Sequence, residues 1–175
     1  MAVPSLFLRS WFPERHMTGR PFEVVEHVRW ADVDLAGIMR FSAVPRFVEL
    51  AEQELMRAAG YPYSRLMDHP SFWMPRRQLL VDYLAPARLD EALTLVTYVP
   101  RFGESSLTLH VDVYGTGGRA VATTAMVLVC VNAQDFRTQP LPEEYRRVLE
   151  PYACPVELAR APRAVSASRE TPGVR

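Results

Sequence analysis

The chain has 175 residues, enough for one domain with a substantial core and too few for two ordinary ones. Hydrophobic residues make up 49% and charged residues 23%, the balance of a globular chain rather than a disordered one. Its 20 basic residues, all arginine, match 20 acidic ones, so no net charge favours nucleic acid or an anionic membrane, and without lysine no Schiff-base chemistry is open.

Residues 1–21 hold Pro4, Pro13, Gly19 and Pro21 among scattered aromatics, and their lack of period predicts an N-terminal extension. Leu6-Phe7-Leu8 runs straight into Arg9, which is too short for a secretory signal. Nor does any run of about 18 apolar residues suggest a membrane span. Cys130, in an apolar run, and Cys154, among prolines, match neither a disulfide framework nor a metal knuckle. Together these features predict a cytoplasmic protein in a reducing compartment.

Residues 22–30 read as a strand, with Val24, Val28 and Trp30 on one face. A polar corner carrying Asp32, Asp34 and Gly37 follows. From Ser42 to about Ala59 the apolar residues Val44, Phe47, Val48, Ala51, Leu55, Ala58 and Ala59 recur at helical spacing, opposite Arg46, Glu49, Gln53 and Arg57. Ser42 is the expected N-cap, and Gly60 stands where a left-handed C-terminal residue belongs. Residues 63–68 add a short helix before His69-Pro70.

From Gln78 the period changes to two, with strands expected over 79–84, 92–101, 105–114 and 119–132, the last nearly all apolar and therefore central. Residues 142–150 suit a terminal helix, and residues 153–175, rich in Ala, Arg, Pro and Ser, suit a disordered tail. The short connections favour antiparallel pairing. One amphipathic helix cannot cover both faces of five strands, so the expected α+β architecture is a curved sheet wrapped around a long central helix. The uncovered edge or face is then expected to meet a second subunit.

A carboxylate just before a helix start lies where backbone N–H groups are unpaired and the potential is positive. It can be a cap, or an acid–base or nucleophilic group beside an oxyanion site. Asp32-Val-Asp34-Leu-Ala-Gly37-Ile-Met-Arg-Phe41 and the helix ending Leu-Met-Arg-Ala-Ala-Gly60 resemble the 4-hydroxybenzoyl-CoA thioesterase family of the hot-dog fold. The resemblance continues through Val81-Asp-Tyr-Leu-Ala-Pro-Ala-Arg88, Ser105-Ser106-Leu107 and the strand ending at Asn132, covering about residues 23–152.

That resemblance implies a hot-dog thioesterase domain over residues 22–152, acting as a homodimer, or a tetramer of two dimers, on an acyl-CoA or acyl-carrier-protein thioester without a cofactor. Asp34 matches the catalytic carboxylate and Phe41 the residue whose N–H polarises the thioester carbonyl. Asp32 takes a supporting role, or that of a plain turn residue, and Gly37 lets a ligand approach the backbone. The family's basic cluster for the CoA phosphates is replaced by Phe102-Gly-Glu-Ser-Ser106, leaving Arg88, Arg101, Ser105 and Ser106 as the substrate-binding candidates.

Glu49 is the alternative catalytic residue, since another hot-dog branch uses a helix glutamate, although a solvated or interface glutamate is the plainer reading. Tyr61, Tyr63, Phe72 and Trp73 can line an acyl pocket or simply pack. A dehydratase or a non-hydrolytic acyl binder is the alternative function. A dehydratase needs His beside an acidic residue, and no such pairing is evident among His27, His69 and His110. No histidine has metal-ligand spacing, so no metal is expected.

Overall fold

The computed structural model describes residues 18–68 and 70–160. The first strand, β1 (Phe22–His27), is followed by a polar corner, the long helix α1 (Val44–Ala58) and the short helix α2 (Tyr63–Asp68). Four long strands come next: β3 (Arg76–Tyr83), β4 (Ala92–Phe102), β5 (Ser106–Tyr114) and β6 (Ala120–Val129). They join β1 in a five-stranded antiparallel sheet of order β1-β4-β5-β6-β3. Two short strands, β2 (Phe72–Trp73) and β7 (Val131–Asn132), form a separate antiparallel pair.

Period-2 alternation decides what each face of the sheet holds. Leu93 and Leu95 of β4, Leu107, Leu109, Val111 and Val113 of β5, and Ala122, Met126 and Leu128 of β6 all point to one side. There they pack with Val44, Phe47, Val48, Ala51, Leu55 and Met56 of α1 into one buried core. Burying a side chain of this size contributes about 1.5–3 kcal/mol, so this face supplies the main driving force for wrapping the sheet around α1. Register shifts at Tyr98/Arg101, Val113/Tyr114 and Arg76/Gln78 bend the strands, as a sheet curved around a helix requires. This is the hot-dog arrangement.

The outer face has its own, smaller cluster. Val96 and Tyr98 of β4 are covered by Cys154 and Ala159, the latter in the one-turn helix α4 (Val156–Ala159). Residues 153–160, expected to begin a disordered tail, therefore pack against the sheet. The cause is specific: Arg160 donates from Nε and Nη2 to the two oxygens of fully buried Asp112, at 2.8 and 2.9 Å. A helix expected over 142–150 is found as α3 (Glu143–Leu149).

Element ends differ from expectation at three places. β1 stops at His27, and Trp30 enters a 3₁₀ turn (Trp30–Asp32) and is 80% exposed rather than continuing the strand's buried face. Ser42 does not cap α1, because a 3₁₀ turn (Phe41–Ala43) precedes the helix and Ala43 takes the cap position without a side-chain bond. Ala58, expected on the apolar face, is exposed, whereas Gly60 adopts the left-handed conformation with φ 73°. Among the described residues no helix is long and apolar enough to cross a membrane. The expectations for residues 1–17, His69 and residues 161–175 lie outside the described residues.

Candidate active site

The corner between β1 and α1 is a small hairpin of its own. Val33 and Met39 bridge, the Asp34 N–H donates to the Ile38 carbonyl at 3.0 Å, and the Gly37 N–H donates to the Asp34 carbonyl at 3.0 Å. Gly37 has φ 71°, a left-handed conformation that favours glycine. A Cβ there would meet nothing within 4 Å, so the position faces open space and the glycine is required by the turn's left-handed conformation. The hairpin is pinned to the sheet where the Met39 N–H donates to the Ala87 carbonyl at 2.8 Å and Ile38 bridges Arg88.

The two aspartates occupy opposite environments. Asp32 is buried, 3% exposed, and every oxygen of its carboxylate is used. The Arg29 N–H donates to Oδ2 at 2.8 Å, and Arg46 grips both oxygens from the first turn of α1, Nε to Oδ1 at 2.9 Å and Nη2 to Oδ2. Burial alone would raise the pKa of Asp32, but the Arg46 and Arg29 bonds outweigh it and hold the carboxyl below its ordinary value. Burial likewise opposes the charge of Arg46, and Asp32 and Glu26 outweigh it, so its pKa is raised. Asp32 thus fastens the corner to the helix.

Asp34, two residues on, faces solvent. Its Oδ1 accepts the Ala36 N–H at 2.8 Å, which sets the side-chain angle and leaves the carboxylate open to the surface. The Arg40 N–H donates to the Asp32 carbonyl at 2.8 Å, drawing the helix start against the corner. Phe41 and Ser42 head the 3₁₀ turn, so their N–H groups have no intrahelical acceptor available. Asp34 and the Phe41 N–H therefore belong to one short, braced segment. Phe41 is 77% exposed, and the Tyr83 hydroxyl donates to the Phe41 carbonyl at 2.8 Å.

The substrate-binding candidates divide into two groups. Arg88 is exposed beside the corner, through its bridge to Ile38. Arg101, Ser105 and Ser106 lie at the other end of the sheet, because Arg101 pairs with Thr108 at the β4–β5 hairpin while the corner adjoins Ala92. A single chain does not bring Asp34 and these three residues together. Glu49 lies exposed on the outer side of α1, away from the core.

Two features escaped the sequence reading. Arg46 looked like one of several surface residues on the polar face of α1, and nothing in its spacing marked Asp32 as its partner. Glu52 sits four residues after Val48, on the margin of the apolar stripe, and is 3% exposed. Arg76 donates to its Oε2 at 2.5 Å and to the Tyr63 hydroxyl at 3.3 Å. Tyr63 and Trp73, but not Tyr61 or Phe72, line a cavity of about 300 Å³ with this pair. No cluster of three His, Cys, Asp or Glu side chains able to hold a metal occurs among the described residues.

A family model described as the thioesterase-like superfamily matches residues 28–149. The acyl-CoA thioester hydrolase YbgC of Escherichia coli O157:H7 is 25% identical over 116 residues, covering 66% of this chain and 86% of that protein. A 1,4-dihydroxy-2-naphthoyl-CoA hydrolase of Synechococcus sp. (strain CC9605) is 28% identical over 141 residues, covering 77% and 93%. Among solved structures, Slr0204, a 1,4-dihydroxy-2-naphthoyl-CoA thioesterase from Synechocystis, superposes with a TM-score of 0.69 at 17% identity, covering 74% of this chain and 95% of that one. SAV2348 from Staphylococcus aureus, solved in complex with CoA, gives 0.70 at 14% identity, covering 77% and 84%.

Proposed function

The chain belongs to the thioesterase-like superfamily, and from that membership we propose that it hydrolyses an acyl-CoA thioester with Asp34 as the catalytic carboxylate. The observation that carries this reading is the contrast within the corner: Asp32 is buried and gripped by Arg46, while Asp34 is exposed on the same braced segment that leads into the helix. A clamp needs only one aspartate. The second, left open on the segment leading into the helix start, is the one this reading assigns to chemistry.

Asp34 takes the proton of a water molecule as the water oxygen bonds to the thioester carbonyl carbon. Alternatively its own oxygen bonds to that carbon, giving an anhydride that water then opens. The Phe41 N–H stabilises the oxyanion that forms. The carbon–sulfur bond breaks as the carbonyl reforms, and the thiolate leaves with a proton. Hydrolase names among relatives at 25–28% identity and a CoA complex in the SAV2348 neighbour support CoA as the thiol carrier, with acyl carrier protein the alternative. Kinship to the 4-hydroxybenzoyl-CoA branch rests on the Asp-x-Asp-x-x-Gly corner.

Residues 22–152 form the proposed catalytic unit of a cytoplasmic homodimer, two of which can pair as a tetramer. β3 is an edge strand with exposed Leu80 and Tyr83, and exposed Trp30, Leu35 and Phe41 lie on or beside the corner. An apolar edge of this kind invites pairing with a second copy. Antiparallel pairing of β3 with its symmetry mate would set one protomer's Arg76 end beside the other's Tyr83 end, uniting Asp34 with Arg101, Ser105 and Ser106 of the partner. A dehydratase would need an acidic group near a histidine on the helix side of the sheet. His110 does approach the Tyr98 hydroxyl, at 3.3 Å, but on the outer face beneath α4.

Thiol release measured across short, long and aromatic acyl-CoAs and an acyl-carrier-protein thioester tests the reading. Turnover of one acyl-CoA that disappears in Asp34→Asn supports it, and full turnover in that variant overturns it.

A further inference from the structure

Because Phe41 is so exposed, packing does little to hold it, and the direction of its backbone depends on hydrogen bonds. Two peptide planes meet at its Cα. The first carries the Arg40 carbonyl and the Phe41 N–H, and its carbonyl accepts the Ala43 N–H at 3.0 Å. The second carries the Phe41 carbonyl and the Ser42 N–H. In an α-helix the amide four residues on would serve that carbonyl, but here that residue is Pro45, which has no N–H. The Tyr83 hydroxyl supplies a donor from outside the turn, at 2.8 Å.

Tyr83 is mounted as a fixed point. It ends β3 opposite Ala122 of β6, on the side of the sheet that α1 occupies. Directly after it, the Leu84 and Ala85 N–H groups both donate to the Val121 carbonyl, at 2.9 and 3.2 Å. The hydroxyl therefore belongs to the sheet, and the turn it grips begins the helix.

Stability does not account for this bond. The corner is already fastened by Asp32 to Arg46 and by the Met39 N–H to the Ala87 carbonyl. A neutral hydrogen bond at an exposed site adds little to that. Its distinct effect falls on one peptide plane: accepting at the carbonyl fixes the plane's rotation and strengthens the dipole that ends in the Ser42 N–H.

We propose that Tyr83 is a positioning residue for thioester hydrolysis, acting through the Phe41 carbonyl to set the direction of the N–H groups at Phe41 and Ser42. The proposal rests on the thioesterase reading, which assigns the Phe41 N–H to the oxyanion, and deepens it. As the tetrahedral centre forms, negative charge moves onto the former carbonyl oxygen, and donors already aimed at it need no reorientation. A turn free to rotate loses that advantage in the transition state and little of it in ground-state binding.

Tyr83→Phe removes the hydroxyl and keeps the ring. The probes are acetyl-, hexanoyl-, palmitoyl- and benzoyl-CoA, and the one the wild type hydrolyses fastest is carried forward. The variant is expected to lose about 10- to 100-fold in kcat, the scale of a small misplacement, with KM little changed. Tm and subunit mass by light scattering are expected to match the wild type. Infrared spectra of the same thioester, isotopically labelled at the carbonyl and bound to Asp34→Asn, give a second readout. Adding Tyr83→Phe to that variant is expected to return the carbonyl stretch toward its frequency in the free thioester, with affinity unchanged.

An unchanged kcat, a rise in KM in its place, or a loss that arrives only with a lower Tm or subunit mass overturns the proposal and leaves the thioesterase reading standing. A carbonyl stretch that the hydroxyl does not move overturns it equally. No hydrolysis of any of these thioesters by the wild type overturns the thioesterase reading, and the role of Tyr83 falls with it.

Discussion

Replacing Arg46 with methionine isolates what fastens the corner to the helix. The aliphatic stem is kept, so the packing of the side chain along α1 changes little, and only the guanidinium goes. Asp32 then stays buried with the Arg29 N–H as its remaining donor. Breaking a fully buried pair in this way costs about 3–5 kcal/mol. Here the Arg46 side chain is 33% exposed and water reaches the gap, so a loss of about 2–3 kcal/mol is expected. For a chain of this size that lowers Tm by roughly 5–10 °C.

The pH dependence carries a sign. In the wild type Asp32 titrates below its ordinary value of 3.8, so its contribution is complete above that value and is lost as pH falls through the lower folded pKa. Without Arg46, burial dominates and the carboxyl titrates above its ordinary value. The variant's deficit is then largest at neutral pH and shrinks as pH falls through that raised pKa. Urea unfolding at pH 7 and at pH 4 measures both. A deficit under about 0.5 kcal/mol, typical of an indifferent surface change, or one that is the same size at both pH values, refutes the clamp.

Other consequences follow from particular atoms. Phe41→Ala keeps the backbone N–H and is expected to retain turnover, whereas Phe41→Pro removes it; Arg40 at φ −64°, ψ 146° already suits a following proline, so the loss should be kinetic, about 100- to 1000-fold in kcat, with the fold intact by circular dichroism. Arg160→Ala leaves Asp112 buried without its bidentate partner, and hydrogen exchange should show residues 153–160 opening first, with Tm falling by several degrees. Burial lowers the pKa of His110 below 6.5, so the unfolded chain binds the proton first and stability declines as pH falls below about 6.5. His110→Gln should flatten that decline in thermal melts between pH 7.5 and 5.5.

Long-range periodicity made most of the fold legible. Val44, Phe47, Val48, Ala51 and Leu55 repeat at helical spacing and do face the core, and the alternation of Leu107 to Val113 does place one face inward. Local exceptions were invisible because they depend on distant partners. Trp30 continues the strand's pattern, yet the Asp32 N–H bond to the Arg29 carbonyl turns the chain out of the sheet. The segment after Tyr152 has the composition of a solvated tail, and only Asp112, 48 residues away and buried, makes Arg160 an anchor.

At the site the same division holds. Asp32, Asp34 and Gly37 stand out by spacing alone, but which aspartate is clamped depends on Arg46, 14 residues downstream of Asp32. Arg101 sits near Ser105 and Ser106 in sequence because all three belong to one hairpin, and that hairpin points away from the corner of its own chain. Glu52 lies on the edge of the helical stripe, where period cannot tell a buried position from an exposed one.

The measurement closest to the central claim is single-turnover thiol release from an acyl-CoA by Asp34→Asn beside Asp32→Asn. Asp34→Asn is expected to fold with unchanged Tm and to lose hydrolysis by at least about 100-fold, within the range for a positioned acid–base group. Asp32→Asn is expected to lose stability first and to lose activity with it. Full hydrolysis in Asp34→Asn, or a loss of stability equal to that of Asp32→Asn, would contradict the assignment of chemistry to the exposed aspartate and of support to the buried one.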